Sequence, residues 1–204
     1  MARPGDAPAT RTAYGPGTLA GMDLQVYLGH GASGTATSMA PFVRGLATRG
    51  IAASAIDLPR RRAEDAVPAF PAVVPSDPGV VVGGHSYGGR VASLAAAAPD
   101  APYAALVLFS YPLHPPGQPE RTEARIEHWP MIRCPVLLLS GDSDPFARIE
   151  LLRAAVEGLP DARLHTYPRL GHGLKPVLDD AMDRVAAFLQ AVGAAQAATS
   201  RETP

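Results

Sequence analysis

Three consecutive valines, Val80-Val81-Val82, run directly into Gly83-Gly84-His85-Ser86-Tyr87-Gly88-Gly89, and a helix-favouring stretch over residues 90–98 follows without a break. An apolar run this short reads as a strand buried on both faces. Passing from such a strand to a helix within a few residues requires a sharp turn, and the glycines on either side of Ser86 tolerate the crowding there. Gly-x-Ser-x-Gly in this setting predicts a buried parallel sheet with the serine hydroxyl exposed at the bend. The bare motif is weak in a chain with 20 glycines, and the flanking strand and helix give it weight.

The rest of the chain repeats this rhythm. Apolar runs predict strands at 24–28, 52–56, 80–83, 104–109, 136–140 and 163–167, with helices between them at 38–49, 64–74, 88–97 and 146–157 and a last one at 176–191. Alternation of this kind gives an α/β fold, a mostly parallel sheet of about six strands with helices on both faces. With 204 residues, 47% of them hydrophobic, one core is expected, in a domain over residues 21–193. The Pro- and Gly-rich residues 1–20 read as flexible, and 194–204 as a disordered Ala-rich tail. The stretch 111–131 breaks the rhythm, because His114-Pro115-Pro116-Gly117-Gln118-Pro119 suits a rigid loop rather than a helix or a central strand.

Charge and cysteine content exclude several functions. Lys+Arg 18 against Asp+Glu 19 gives a net charge of -1, so neither nucleic acid nor a membrane is expected as partner. The one basic run, Arg60-Arg61-Arg62, reads as a solvated loop offset by Glu64 and Asp65. Cys134 is the only cysteine, which rules out an internal disulfide and a cysteine-built zinc site and suits a buried structural thiol. No metal site or cofactor is expected. No apolar segment suits a signal peptide or a membrane span, so a cytoplasmic location is the expectation. Oligomeric state is not legible.

A serine hydroxyl needs a base to take its proton, and the base needs an orienting acid. In a fold of this kind both follow the serine, in the order acid then histidine. Asp142 and Asp144 stand just after the strand at 136–140, and His172 stands in Gly171-His172-Gly173 after the last strand. His172 has the best claim as base, because flanking glycines let its loop reach the serine. His165 falls inside a strand, His128 reads as packed or hydrogen-bonded, and His85 is expected to point away from the bend. Spacing leaves both aspartates open, with Asp144 favoured and a helix cap as the alternative role. Donors for a developing oxyanion would be the backbone N–H groups of Tyr87 and of Ala32, in the loop Gly29-His30-Gly31-Ala32-Ser33-Gly34. That loop lacks the endings of phosphate-binding glycine loops. His30, Gly31, Tyr111 and Pro112 are the expected pocket residues.

These residues resemble the α/β-hydrolase superfamily, and within it the small lid-less proteins similar to dienelactone hydrolases. The resemblance spans about residues 23–189. Beyond Ser86 and its partners it rests on Ser110-Tyr111-Pro112-Leu113-His114-Pro115-Pro116-Gly117, Glu127-His128, Asp144-Pro145-Phe146 and His172 with Leu174-Lys175. The His-Gly step at His30-Gly31 also resembles the oxyanion loop of many esterases. The resemblance implies that the acid is the aspartate before Pro-Phe, Asp144, and that the reaction is cofactor-free hydrolysis of a small acyl substrate such as an ester, thioester or lactone. Three departures stand out. Ser86 replaces the cysteine of dienelactone hydrolases proper, little that reads as strand precedes Leu24, and no insertion between residues 109 and 135 is long enough for a lid. A non-hydrolytic protein of the same fold, an interaction module or a lyase or cyclase, is the alternative.

Overall fold

Six strands form where the six apolar runs stand: β1 (Gln25–Gly29), β2 (Ala52–Ile56), β3 (Val80–His85), β4 (Ala105–Phe109), β5 (Val136–Gly141) and β6 (Ala162–Tyr167). The structure is a computed structural model describing residues 24–202, so the expectation for residues 1–20 lies outside the described residues. All five pairings are parallel, in the order β2-β1-β3-β4-β5-β6. The chain runs outward from β1 to β2 and then crosses back to β3. The direction of winding therefore switches between β1 and β3, and ligand sites in open α/β sheets lie beyond the C-terminal ends of strands at such a switch.

Alternate residues of each strand feed two cores. Val80, Val82, Leu106, Leu108, Val136 and Leu138 face one side with α3 (Tyr87–Ala96) and α5 (Ile149–Val156). Val26, Leu28, Val81, Val107, Phe109 and Leu139 face the other, with α1 (Ala40–Ala47) and α6 (Leu178–Glu202). Burial on both faces explains the uninterrupted apolar character of the central strands. Each such Val or Leu side chain gains about 1.5–3 kcal/mol on leaving water.

The helices depart from expectation where prolines and alanines dictate. Pro68 and Pro71 lack the N–H that an α-helix needs, so the helix expected at 64–74 shrinks to α2 (Ala63–Ala66) followed by the tighter turns of Val67–Ala72. Residues 111–131 hold only short turns, among them α4 (Glu123–Ile126), and pack inward through Trp129 and Tyr111, whose rings meet at 5.1 Å. Among the described residues no lid domain covers the sheet end. The disordered tail expected from Ala194 is corrected: α6 continues to Glu202, because the Ala-rich stretch after Gly193 favours a helix already nucleated and packed upstream. No described helix is long and apolar enough to cross a membrane.

Candidate active site

Ser86 sits between β3 and α3 with φ 52° and ψ -112°. This backbone conformation is sparsely populated and costs about 1–3 kcal/mol for a residue with a side chain. Its surroundings hold it there. The Ser86 N–H donates to the Phe109 carbonyl at 2.9 Å and its carbonyl accepts the Arg90 N–H at 3.0 Å. Such a bend forms only if β1 can pass close behind it. At Gly88 an added Cβ would overlap the Gly29 carbonyl, and at Gly84 it would strike the same oxygen.

His172 follows β6, and its Nε2 lies 2.8 Å from Ser86 Oγ. Its Nδ1 lies 2.8 Å from Asp144 Oδ2. A carboxylate only accepts, so Nδ1–H donates to Asp144 and Nε2 is left to accept from the serine. The Asp144 side chain is fully sealed from solvent, and its second oxygen takes the Phe146 N–H at 2.8 Å. The Phe146 ring in turn lies 4.4 Å from the imidazole. Asp142 is used elsewhere: its Oδ1 accepts the Arg169 N–H at 2.7 Å, pinning a turn where Arg169 takes φ 56°. The structure thus brings Ser86, His172 and Asp144 together and leaves Asp142 out.

His85 does not simply point away. Its Nε2–H donates to the His172 carbonyl at 3.0 Å, and the two rings stand 5.1 Å apart. Burial lowers the His85 pKa, with the bond to the His172 carbonyl working in the opposite direction. Sequence reasoning missed the contact because it joins the end of β3 to a loop 87 residues further along the chain.

The Tyr87 N–H heads α3, where a first-turn amide has no intrahelical acceptor. Ala32 sits at the tip of the loop after β1, which folds back through a bond from the Gly34 N–H to the Gly31 carbonyl. Among the described residues neither the Tyr87 nor the Ala32 amide donates to a protein acceptor. Both residues border the same cleft as Ser86.

A family model described as an alpha/beta hydrolase domain matches residues 23–199. The chain belongs to that family. Several solved structures share its fold at low identity. A monoacylglycerol lipase of Paleococcus ferrophilus is 15% identical, with 82% of this chain and 94% of that one covered and a TM-score of 0.71. A thermophilic esterase of Thermogutta terrifontis with propionate bound is 20% identical, with coverages of 89% and 87% and a TM-score of 0.68. Est1E from Butyrivibrio proteoclasticus with ferulic acid bound is 19% identical, with coverages of 82% and 88% and a TM-score of 0.68. No curated protein sequence matches the chain.

The cleft of this α/β-hydrolase measures about 400 Å³. Of the expected pocket residues, Pro112 lines it, whereas His30 and Tyr111 are corrected to buried supports. His30 is 2% exposed; its Nδ1–H donates to the Gly31 carbonyl at 2.8 Å and its Nε2 accepts the Leu58 N–H at 3.1 Å. Tyr111 is 1% exposed and donates to the Arg125 carbonyl at 2.7 Å. Gly31 faces the His85 ring, where a Cβ would stand 3.1 Å from Nδ1. These residues shape the cleft from behind.

The basic run is an exposed loop offset by Glu64, as expected, and it also reaches the cleft. Arg61 and Arg62 border the cleft together with Arg90, Arg121 and Arg125, and Glu64 is shared between Arg90 at 2.5 Å and Arg62 at 3.8 Å. Sequence could not group arginines from three separate stretches of chain. Two expectations of packing roles fit their surroundings: His165 stacks edge-on against Tyr167 in β6, and buried His128 bonds to Ser93 Oγ at 2.9 Å. Cys134 is half-buried rather than buried, and desolvation pushes its thiol up to about 11.

Proposed function

We propose that the protein is a serine hydrolase of small carboxylic esters or related thioesters and lactones, acting through an acyl-enzyme on Ser86. The observation that carries this reading is the unbroken hydrogen-bond chain from Ser86 through His172 to buried Asp144, with 2.8 Å at each link. Ser86 Oγ attacks the acyl carbonyl while His172 Nε2 takes its proton. Asp144 fixes the imidazole tautomer and stabilises the imidazolium that forms. The Tyr87 and Ala32 N–H groups, without protein acceptors, receive the developing oxyanion. His172 returns the proton to the leaving group, and water then repeats the sequence to release the acid. Every proton moves between named side chains, water and substrate.

Turnover of 4-nitrophenyl butyrate tests the reading. Ser86→Ala and His172→Ala are expected to lower kcat by about 10³-fold or more, and Asp144→Asn by a comparable factor, while far-UV circular dichroism is retained. Wild-type protein inert toward short activated esters and thioesters would refute it.

A further inference from the structure

The charge of the cleft does not match that of the chain. Five arginines border it, Arg61, Arg62, Arg90, Arg121 and Arg125, and Glu64 is the one acid among the described residues that do so. The protein as a whole carries -1. The carboxylate of Glu64 is already committed to Arg90 and Arg62. Arg90, 5% exposed, also donates to Tyr111 Oη and to the Arg125 carbonyl, so it is consumed in holding the wall. Arg121 donates to Gln118 at 3.1 Å, a neutral partner. Among the described residues no carboxylate lies within ion-pair distance of Arg61, Arg121 or Arg125.

Arg125 is the sharpest case. Its backbone carbonyl takes two hydrogen bonds, from Arg90 and from Tyr111, so the residue is held in place, while its half-buried guanidinium has no acid partner. Burial, and then the neighbouring Arg90 cation, press its pKa below the usual value. A cation left in this condition beside a cleft gains most from an anion that enters with the substrate, because a concave, partly desolvated wall concentrates the field of like charges. Guanidinium forks suit the paired oxygens of carboxylate and phosphate.

We propose that the cleft selects substrates carrying an anionic oxygen group, a carboxylate or a phosphate, a few bonds from the scissile carbonyl, received by Arg125 and Arg121 with Arg61 adding to the field. The inference rests on the hydrolase reading for the position of the scissile bond. Arg90 is a positioning residue that keeps the Arg125 backbone in register.

Calorimetric titration of Ser86→Ala with methyl butyrate, monomethyl succinate and methyl 3-phosphonopropionate tests it without bond cleavage. At low salt at least one anionic ester should bind tenfold or more tightly than the neutral one, and the tighter of the two names carboxylate or phosphate as the group recognised. Adding 0.5 M salt, or introducing Arg125→Gln, should reduce that advantage to below about threefold. Arg121→Gln, at an exposed side chain, gives the same direction should Arg125→Gln fold poorly. Equal binding of all three esters, or an advantage untouched by both arginine substitutions, overturns the inference. Hydrolysis of 4-nitrophenyl butyrate with no anionic advantage removes this inference and leaves the hydrolase reading intact. An anionic advantage in a protein that turns over no ester overturns the hydrolase reading and with it the placement of the anion beside a scissile carbonyl, leaving only an arginine-lined anion site.

Discussion

At the scale of single residues, the histidine before the nucleophile candidate has a double task. His85 passes through the sharp bend and lays its ring beside His172, donating to that residue's carbonyl at 3.0 Å. The loop carrying His172 is flanked by glycines, which let it reach the serine and also leave it free to move; the His85 bond restricts it. We expect His85→Phe, which keeps a ring but loses the donor, to lower kcat about tenfold with KM nearly unchanged, the equivalent of one lost hydrogen bond of roughly 1.4 kcal/mol. His85→Gln, with an N–H in a similar place, should recover most of it. Steady-state kinetics with a short ester measures both, and an unchanged kcat in His85→Phe would remove the assignment. Ser86, His172 and the preference for Asp144 were legible because residue type and chain order constrain them together. The separate employment of Asp142 was not, since it depends on a turn at Arg169 that spacing does not describe.

At the scale of elements, the strand-turn-helix of β3 and α3 works only because β1 lies against it without an intervening side chain. Gly88 is the point of contact, and an added methyl meets the Gly29 backbone, which cannot swing aside as a flexible side chain could. Gly88→Ala is expected to destabilise the fold by about 2 kcal/mol or more and to displace the Ala32 loop, which leaves β1 at Gly29. A urea midpoint within error of wild type would contradict this. The central strands were legible because a strand buried on both faces must be apolar throughout, as in Val80-Val81-Val82 and Ala105–Phe109, whereas the half-exposed edge strands β2 and β6 were read from shorter apolar patterns. Helix lengths were less so. Pro68 and Pro71 convert most of one helix into tighter turns, and the Ala-rich tail, low in large apolar residues, carries α6 to Glu202 by propensity and continuity rather than by a visible apolar stripe.

At the scale of the whole molecule, folding strips protons from histidines. Burial lowers the pKa of His85 and His165, and burial with the nearby Arg90 cation takes His128 to about 4. The unfolded chain binds these protons near pH 6.5, so their stabilising contribution is complete above that pH and is lost as pH falls through the folded-state pKa of each, about 4 for His128. His128 alone, 5% exposed, accounts for up to about 3 kcal/mol of this loss. His128→Gln, which keeps a donor for Ser93 and does not titrate, should lose about that much less unfolding free energy between pH 6.5 and 4; equal pH dependence in urea titrations would contradict the assignment. The assembly of the cleft was the least legible feature. Its arginines come from α3 and from the stretches after β2 and β4, which meet only through the order β2-β1-β3-β4, whereas along the chain Arg61 and Arg62 look neutralised by the acids that follow.

Covalent labelling tests the central claim most directly. A fluorophosphonate reacts with a serine only where a base activates it and an oxyanion site receives the phosphoryl oxygen. Intact-mass analysis with peptide mapping is predicted to find one adduct, on Ser86, formed at neutral pH, absent from Ser86→Ala and strongly slowed in His172→Ala. An unlabelled wild type, or a label that persists in Ser86→Ala, would contradict the account.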